Sequence, residues 1–227
     1  MNDTDLLIQR LVEEAAPVKC LASPLRRTLA WMALAGAVLA AVVVASGLNA
    51  EALRALRAPG AAIEWSASVS TGALAAFAVF QVSVPGRSAH WRWLPLPAAM
   101  LWLGGIGAGC IRDVALLGSS AYAYQGFSVE CARAIVLVSL PVGLSMLLMV
   151  RHAGVVRPTL TALLTSVSAA ALSSAAVALI HDGETALMSL LWHCGPVLAL
   201  ALLGAATGRR LFAWLGFPPA RSRSPHA

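Results

Sequence analysis

The sequence predicts an all-α fold: a polytopic integral membrane helical bundle of six transmembrane helices, with both ends in the cytoplasm (N-in/C-in). Three observations predict it. Of 227 residues, 59% are hydrophobic and only 11% charged, whereas a soluble domain carries about 25% charged residues. Six apolar stretches, 28–47, 61–82, 93–111, 131–150, 158–180 and 186–208, approach or exceed the roughly 20 residues that cross a bilayer as helix. Lys and Arg, finally, are shared unevenly between the connections, which sets orientation.

The first element lies ahead of any apolar stretch. Asp3 or Thr4 can cap a helix in which Leu7, Ile8, Leu11, Val12 and Ala15 share one face by the i, i+3, i+4 rule. Gln9, Arg10, Glu13 and Glu14 take the other face, and Pro17 ends the pattern. Such a helix can lie on the membrane or on the protein's own inner face. Interfacial helices, however, carry mostly Lys and Arg on the polar side, so two acidic residues beside one Arg suit a protein groove at least as well. Because this acidic segment separates the start of the chain from the first apolar stretch, a cleaved signal peptide is not expected.

Each apolar stretch is best satisfied as a lone helix, since lipid offers no partner to an unpaired backbone group. Glu64 and Arg133 make the second and fourth stretches the weaker two, with five or seven spans as the alternative. Pro95, Pro97, Pro141 and Pro196 are expected to kink their helices. Gly105 and Gly109 form a GxxxG spacing that suits close helix packing. Trp31, Trp91, Trp93, Trp192 and Trp214 are candidate interfacial anchors, with Tyr122 and Tyr124 in the longest outer loop.

With the N-terminus inside, twelve of the sixteen basic residues fall on the cytoplasmic side. The other side keeps Arg54, Arg57, Arg112 and Arg133. The chain then divides into a cytoplasmic amphipathic segment (1–27), a six-helix membrane domain (28–208) and a basic cytoplasmic tail (209–227). The net charge of +6 flanks apolar runs rather than interleaving with aromatic residues, so it reads as membrane anchoring, and direct nucleic-acid binding is not expected.

Enzyme signatures are missing: there is no HExxH helix, no GxSxG elbow and no Walker loop. The four cysteines, Cys20, Cys110, Cys131 and Cys194, form no CxxC pair; that excludes a zinc ribbon and a disulfide-built scaffold. The predicted topology nevertheless gathers polar groups in the outer half. Glu64 starts the second span, Cys110 and Asp113 end the third, and Glu130 and Cys131 open the fourth. His181, Asp182 and Glu184 form the last outer loop, and His193 and Cys194 follow on the order of 10 Å below it at helical rise. Thiolate and imidazole suit zinc, copper or cadmium; two thiols in an oxidising compartment can instead form a switchable disulfide. Each cysteine alone is an ordinary small apolar filler, whereas a histidine inside a membrane helix is a functional candidate by default. Cys20, on the cytoplasmic side, reads as incidental.

Several short motifs recur in order: LIQRLVEEAAPV (7–18) leading to Pro24 and Arg26–Arg27, VPGRSAHWRWLPLP (84–97), GAGCIRD (107–113), FSVEC (127–131), LWH (191–193) and GRR (208–210). Their order and placement resemble the NrsF family, membrane-embedded anti-sigma factors that restrain an ECF-type sigma factor in proteobacteria. The resemblance covers nearly the whole chain. It implies a multi-pass protein of the bacterial inner membrane, with an ECF sigma factor and the lipid bilayer as partners. Leu7, Ile8, Arg10, Leu11 and Glu14 would meet the sigma factor. A metal or oxidant signal would act through cysteines, with Cys131 the best-matched thiol and Cys110 the next. The family's second sensing cysteine lies nearer the loop before helix six; here that loop has His181, and the nearest thiol is Cys194. The partner of Cys131 is therefore open between Cys110, Cys194 and a metal set such as Cys131, Cys110 and His181, with His193 close by. No resident cofactor is required; a heavy-metal ion would be a transient signal. The alternatives are a small metal or solute transporter and a membrane thiol oxidoreductase.

Overall fold

The computed structural model describes residues 3–13, 21–118, 120, 128–153, 155–180 and 186–215. The expected Glu14, Cys20, Tyr122, Tyr124 and His181, and most of the basic tail, lie outside them. Among the described residues the chain is helical and has no strand: α1 (Asp3–Glu13), α2 (Pro24–Ser46), α3 (Ala50–Ala55), α4 (Pro59–Val82), α5 (Leu96–Leu117), α6 (Ser128–Val150), α7 (Pro158–Val177), α8 (Ala186–Ser189) and α9 (Gly195–Trp214). A 3-10 turn, Ala89–Trp93, leads into α5, and a π turn, Leu190–Cys194, joins α8 to α9. Six helical segments are long and apolar enough to cross a membrane, matching the six expected.

The centre of the bundle is α7, whose crossing stretch is 78% buried, against 17% for the span that contains α5. Side-chain size explains the difference. Ala169, Ala170, Ala171, Ser173 and Ser174 let neighbouring backbones come close, and three side chains bond across the contact with α4. Ser168 Oγ donates to the Gly72 carbonyl (2.7 Å), Ser68 Oγ to Ala171 (3.0 Å) and Trp65 Nε1 to Ala175 (2.9 Å). These three bonds set α4 antiparallel to α7 over about two turns. On another side, a Cβ built on Gly208 of α9 would stand 2.9 Å from the Pro158 carbonyl and from Thr159 Cα, so glycine there permits the close α7–α9 approach. Leu29, Val44, Ile111, Leu116, Leu198 and Leu202 stay exposed, an apolar rim suited to hydrocarbon.

Several boundaries and anchors differ from the sequence expectation. The first span begins earlier, at Pro24, because Ser23 caps it through the Arg26 amide and Pro24 occupies the first turn. Arg27 therefore enters the bundle instead of flanking it. Trp31 is not an interfacial anchor: it is fully buried, with Nε1 donating to Ser145 Oγ at 3.1 Å. Pro95 and Pro97 do not kink a helix interior, because they stand at the start of α5, where a missing amide costs no helical bond. Pro141 does lie inside α6. Pro196 follows the π turn; lacking an N–H, it cannot bond the carbonyl of Trp192, which suits the local widening of the helix. The short helix α3 was not expected. Asn49 accepts from the Glu51 and Ala52 amides to cap it, and its own amide donates to Leu179 beyond α7.

Candidate functional site

The alternating direction of the six long segments places the starts of α4 and α6, the ends of α5 and α7, and α8 with the π turn at one end of the bundle. That end holds Glu64, Cys110, Asp113, Cys131, His193 and Cys194. The opposite end holds Arg27. These residues share one end of the bundle, but they do not form a single group.

Cys110 and Cys194 flank one small apolar cluster with Ala67, Trp102, Ile106 and Val197. Both are thiols within electrostatic range of each other and of Glu64. Cys131 belongs to a separate cluster with Ile135 and Val177, at the contact of α6 with α7, and is fully buried. His193, in the π turn, is also buried, its Nδ1 2.9 Å from Ser174 Oγ of α7. Among the described residues no three His, Cys, Asp or Glu side chains are grouped to hold a metal ion; His181 lies outside those residues.

Glu64 and the GxxxG pair form a second feature. A Cβ on Gly105 would come within 2.7 Å of Glu64 Cγ, and one on Gly109 within 2.9 Å of the Ala186 side chain and 3.8 Å of Glu64 Oε1. The spacing thus does bring helices close, but what it admits is a carboxylate from α4 and the first residue of α8. One turn on, Asp113 Oδ2 accepts the Ala186 amide at 2.8 Å and so caps α8, while its other oxygen lies 3.5 Å from Arg112. A cavity of about 790 Å³ opens beside Glu64, with Trp65, Trp102, Asp113 and His193 among its walls and the exposed Arg112 and Glu51 at its rim.

The predicted topology brings Glu64 and Asp113 to the thiols, but it does not single out Trp65, Trp102 or Ser174. An acidic residue on one span at the depth of a GxxxG on the next was the available signal for the Glu64 slot.

At the other end of the chain, α1 presents Leu6, Leu7, Ile8, Leu11 and Val12 between 42% and 68% exposed. Arg10 and Glu13 are exposed as well, and Gln9 Nε2 donates to Glu13 Oε1. The amphipathic helix forms as expected and keeps its apolar face uncovered.

A bundle of six helices long and apolar enough to cross a membrane, with an amphipathic helix ahead of the first, belongs to the class of multi-pass membrane proteins. Comparison with known families makes this specific: residues 11–214 match the family NrsF, negative regulator of sigma F, and the chain belongs to that family. It is a negative regulator of a sigma factor. No curated protein and no solved structure matches it significantly.

Proposed function

We propose that this protein is an anti-sigma factor of the bacterial inner membrane. It holds an ECF sigma factor in the cytoplasm and releases it when a metal or an oxidant acts on thiols at the periplasmic end. The observation that carries this reading is α1, a helix with an uncovered apolar face and a polar face bearing Arg10 and Glu13. Leu7, Ile8 and Leu11 dock into a groove of the sigma factor as helix-in-groove anchors, and Arg10 and Glu14 fix the register. The excess of basic residues flanking the Arg27 end supports a cytoplasmic location for that end and for both termini.

The burial of Cys131 supports coupling between the two ends. A thiol packed between α6 and α7 cannot be modified or ligated without parting those helices. Such a change biases the bundle toward a second arrangement only if the signal binds that arrangement better. The partner of Cys131 is Cys110, Cys194, or a set of Cys and His ligands that includes His193 or His181.

Deleting residues 1–16 frees the sigma regulon while the truncated protein stays inserted; a silent regulon with inserted protein present sinks the claim for α1. Replacing Leu7 and Leu11 with Glu gives the same release and abolishes co-purification of the sigma factor. A solute transporter fits less well, because the α7 span carries no charged residue.

A further inference from the structure

We propose that the cavity beside Glu64 is a binding site for a small organic cation with an apolar body, of the quaternary-ammonium or arylalkylammonium kind. Three independent features of the cavity choose this chemistry. Its volume, about 790 Å³, falls within the roughly 300–1,000 Å³ of small-molecule sites. Trp65 and Trp102 are among the residues that line it, and indole attracts a cation more strongly than other aromatic rings do. Glu64 makes neither a hydrogen bond nor a salt bridge with a described residue, and the guanidinium that attracts it, Arg112, is shared with Asp113. Glu64 is held against α5 by the room that Gly105 and Gly109 leave.

Other occupants fit the same walls less well. An anion would face Glu51, Glu64 and Asp113 with only Arg112 to receive it, and Arg112 is already turned toward Asp113. A bare metal ion finds no set of three donors among the described residues. A neutral apolar molecule, a lipid chain included, would strip water from the Glu64 carboxylate without compensating its charge. An ammonium with an apolar body neutralises the carboxylate and covers the indoles together. The cavity also touches Ala186 and His193, so its occupant bears on the α5–α8 cap and on the π turn, without using a thiol.

The test uses the full-length chain in nanodiscs of zwitterionic lipid, with benzyltrimethylammonium as probe and equilibrium dialysis as readout. Saturable binding is expected, and neopentylbenzene, the uncharged carbon isostere, should not compete. Glu64→Gln keeps the shape of the side chain and should weaken binding about tenfold or more, which corresponds to about 1.4 kcal/mol; Glu64→Asp should retain most of it. Absence of saturable binding, equal competition by neopentylbenzene, or undiminished binding by E64Q overturns the proposal. The comparison of cation with isostere is made on the unaltered chain, so it decides the matter even where E64Q fails to fold.

Discussion

The two ends of this bundle each contain a charged side chain among helices, and they accommodate it in opposite ways. At one end the chain closes around Arg27. Its Nη2 donates to the Met149 carbonyl at 3.1 Å, its guanidinium lies 4.8 Å from the centre of the Phe80 ring, and Trp31, Met146 and Val150 around it are fully buried. At the other end the chain leaves space around Glu64: a cavity, a four-residue helix, a π turn, and two glycines facing the carboxylate. Burying a charge is costly unless contacts replace its hydration. The Arg27 end supplies one hydrogen bond and one ring face from within the chain, although Arg27 Nη1 is buried without a hydrogen-bond partner among the described residues. The Glu64 end does not, and this is the physical reason to assign stability to the first end and ligand or signal chemistry to the second.

If that division is right, the largest loss of stability comes from Arg27→Ala. It removes a charged hydrogen bond and a cation–π contact, and it leaves the Met149 carbonyl unpaired. The expected cost is about 2–4 kcal/mol, measured by unfolding in mixed micelles. A cost no larger than that of Glu64→Gln would break the contrast between the ends.

The membrane architecture was legible in the sequence because it rests on run length and local charge. Each span announces itself within some twenty residues, and so does the amphipathic pattern of Leu7, Ile8 and Leu11. What was not legible depends on pairs far apart in the chain. Arg27 reads as a flanking anchor until Met149 and Phe80 are brought to it. Gly105 and Gly109 read as a helix contact, but that their neighbour is the Glu64 carboxylate follows only from the packing of α4 on α5. The grouping of Cys110 with Cys194, and of Cys131 with Val177, has the same origin: topology gives the end of the bundle, and helix rotation decides which thiols share a cluster. The π turn was hidden because Leu190–Cys194 carries ordinary helix-forming residues, with Pro196 as the only hint.

A smaller effect is expected from Asp113→Ala. It removes the acceptor for the Ala186 amide and frees the start of the last span from α5. Loss of a cap costs about 1 kcal/mol. Hydrogen exchange should show the change confined to α8 and the π turn, with α7 and the Arg27 end protected as before. Exchange that rises equally at both ends would mean the Glu64 end is as tightly coupled as the other, and the division fails.

The sharpest comparison substitutes the same residue at both ends. Gly208→Ala places a methyl 2.9 Å from the Pro158 carbonyl and from Thr159 Cα, backbone atoms that cannot move without shifting α7. Overpacking of this kind costs about 1–3 kcal/mol. Gly105→Ala places its methyl 2.7 Å from Glu64 Cγ, a side-chain atom next to open volume. Glu64 can swing into the cavity, and the gain in helix propensity of alanine over glycine, about 1 kcal/mol in a helix interior, offsets the shift. Gly105→Ala should therefore leave the unfolding midpoint nearly unchanged while reducing the space available to a bound cation. A large loss of stability at Gly105 would show that Glu64 is fixed as firmly as Arg27, and that the cavity is a packing defect with no occupant to wait for.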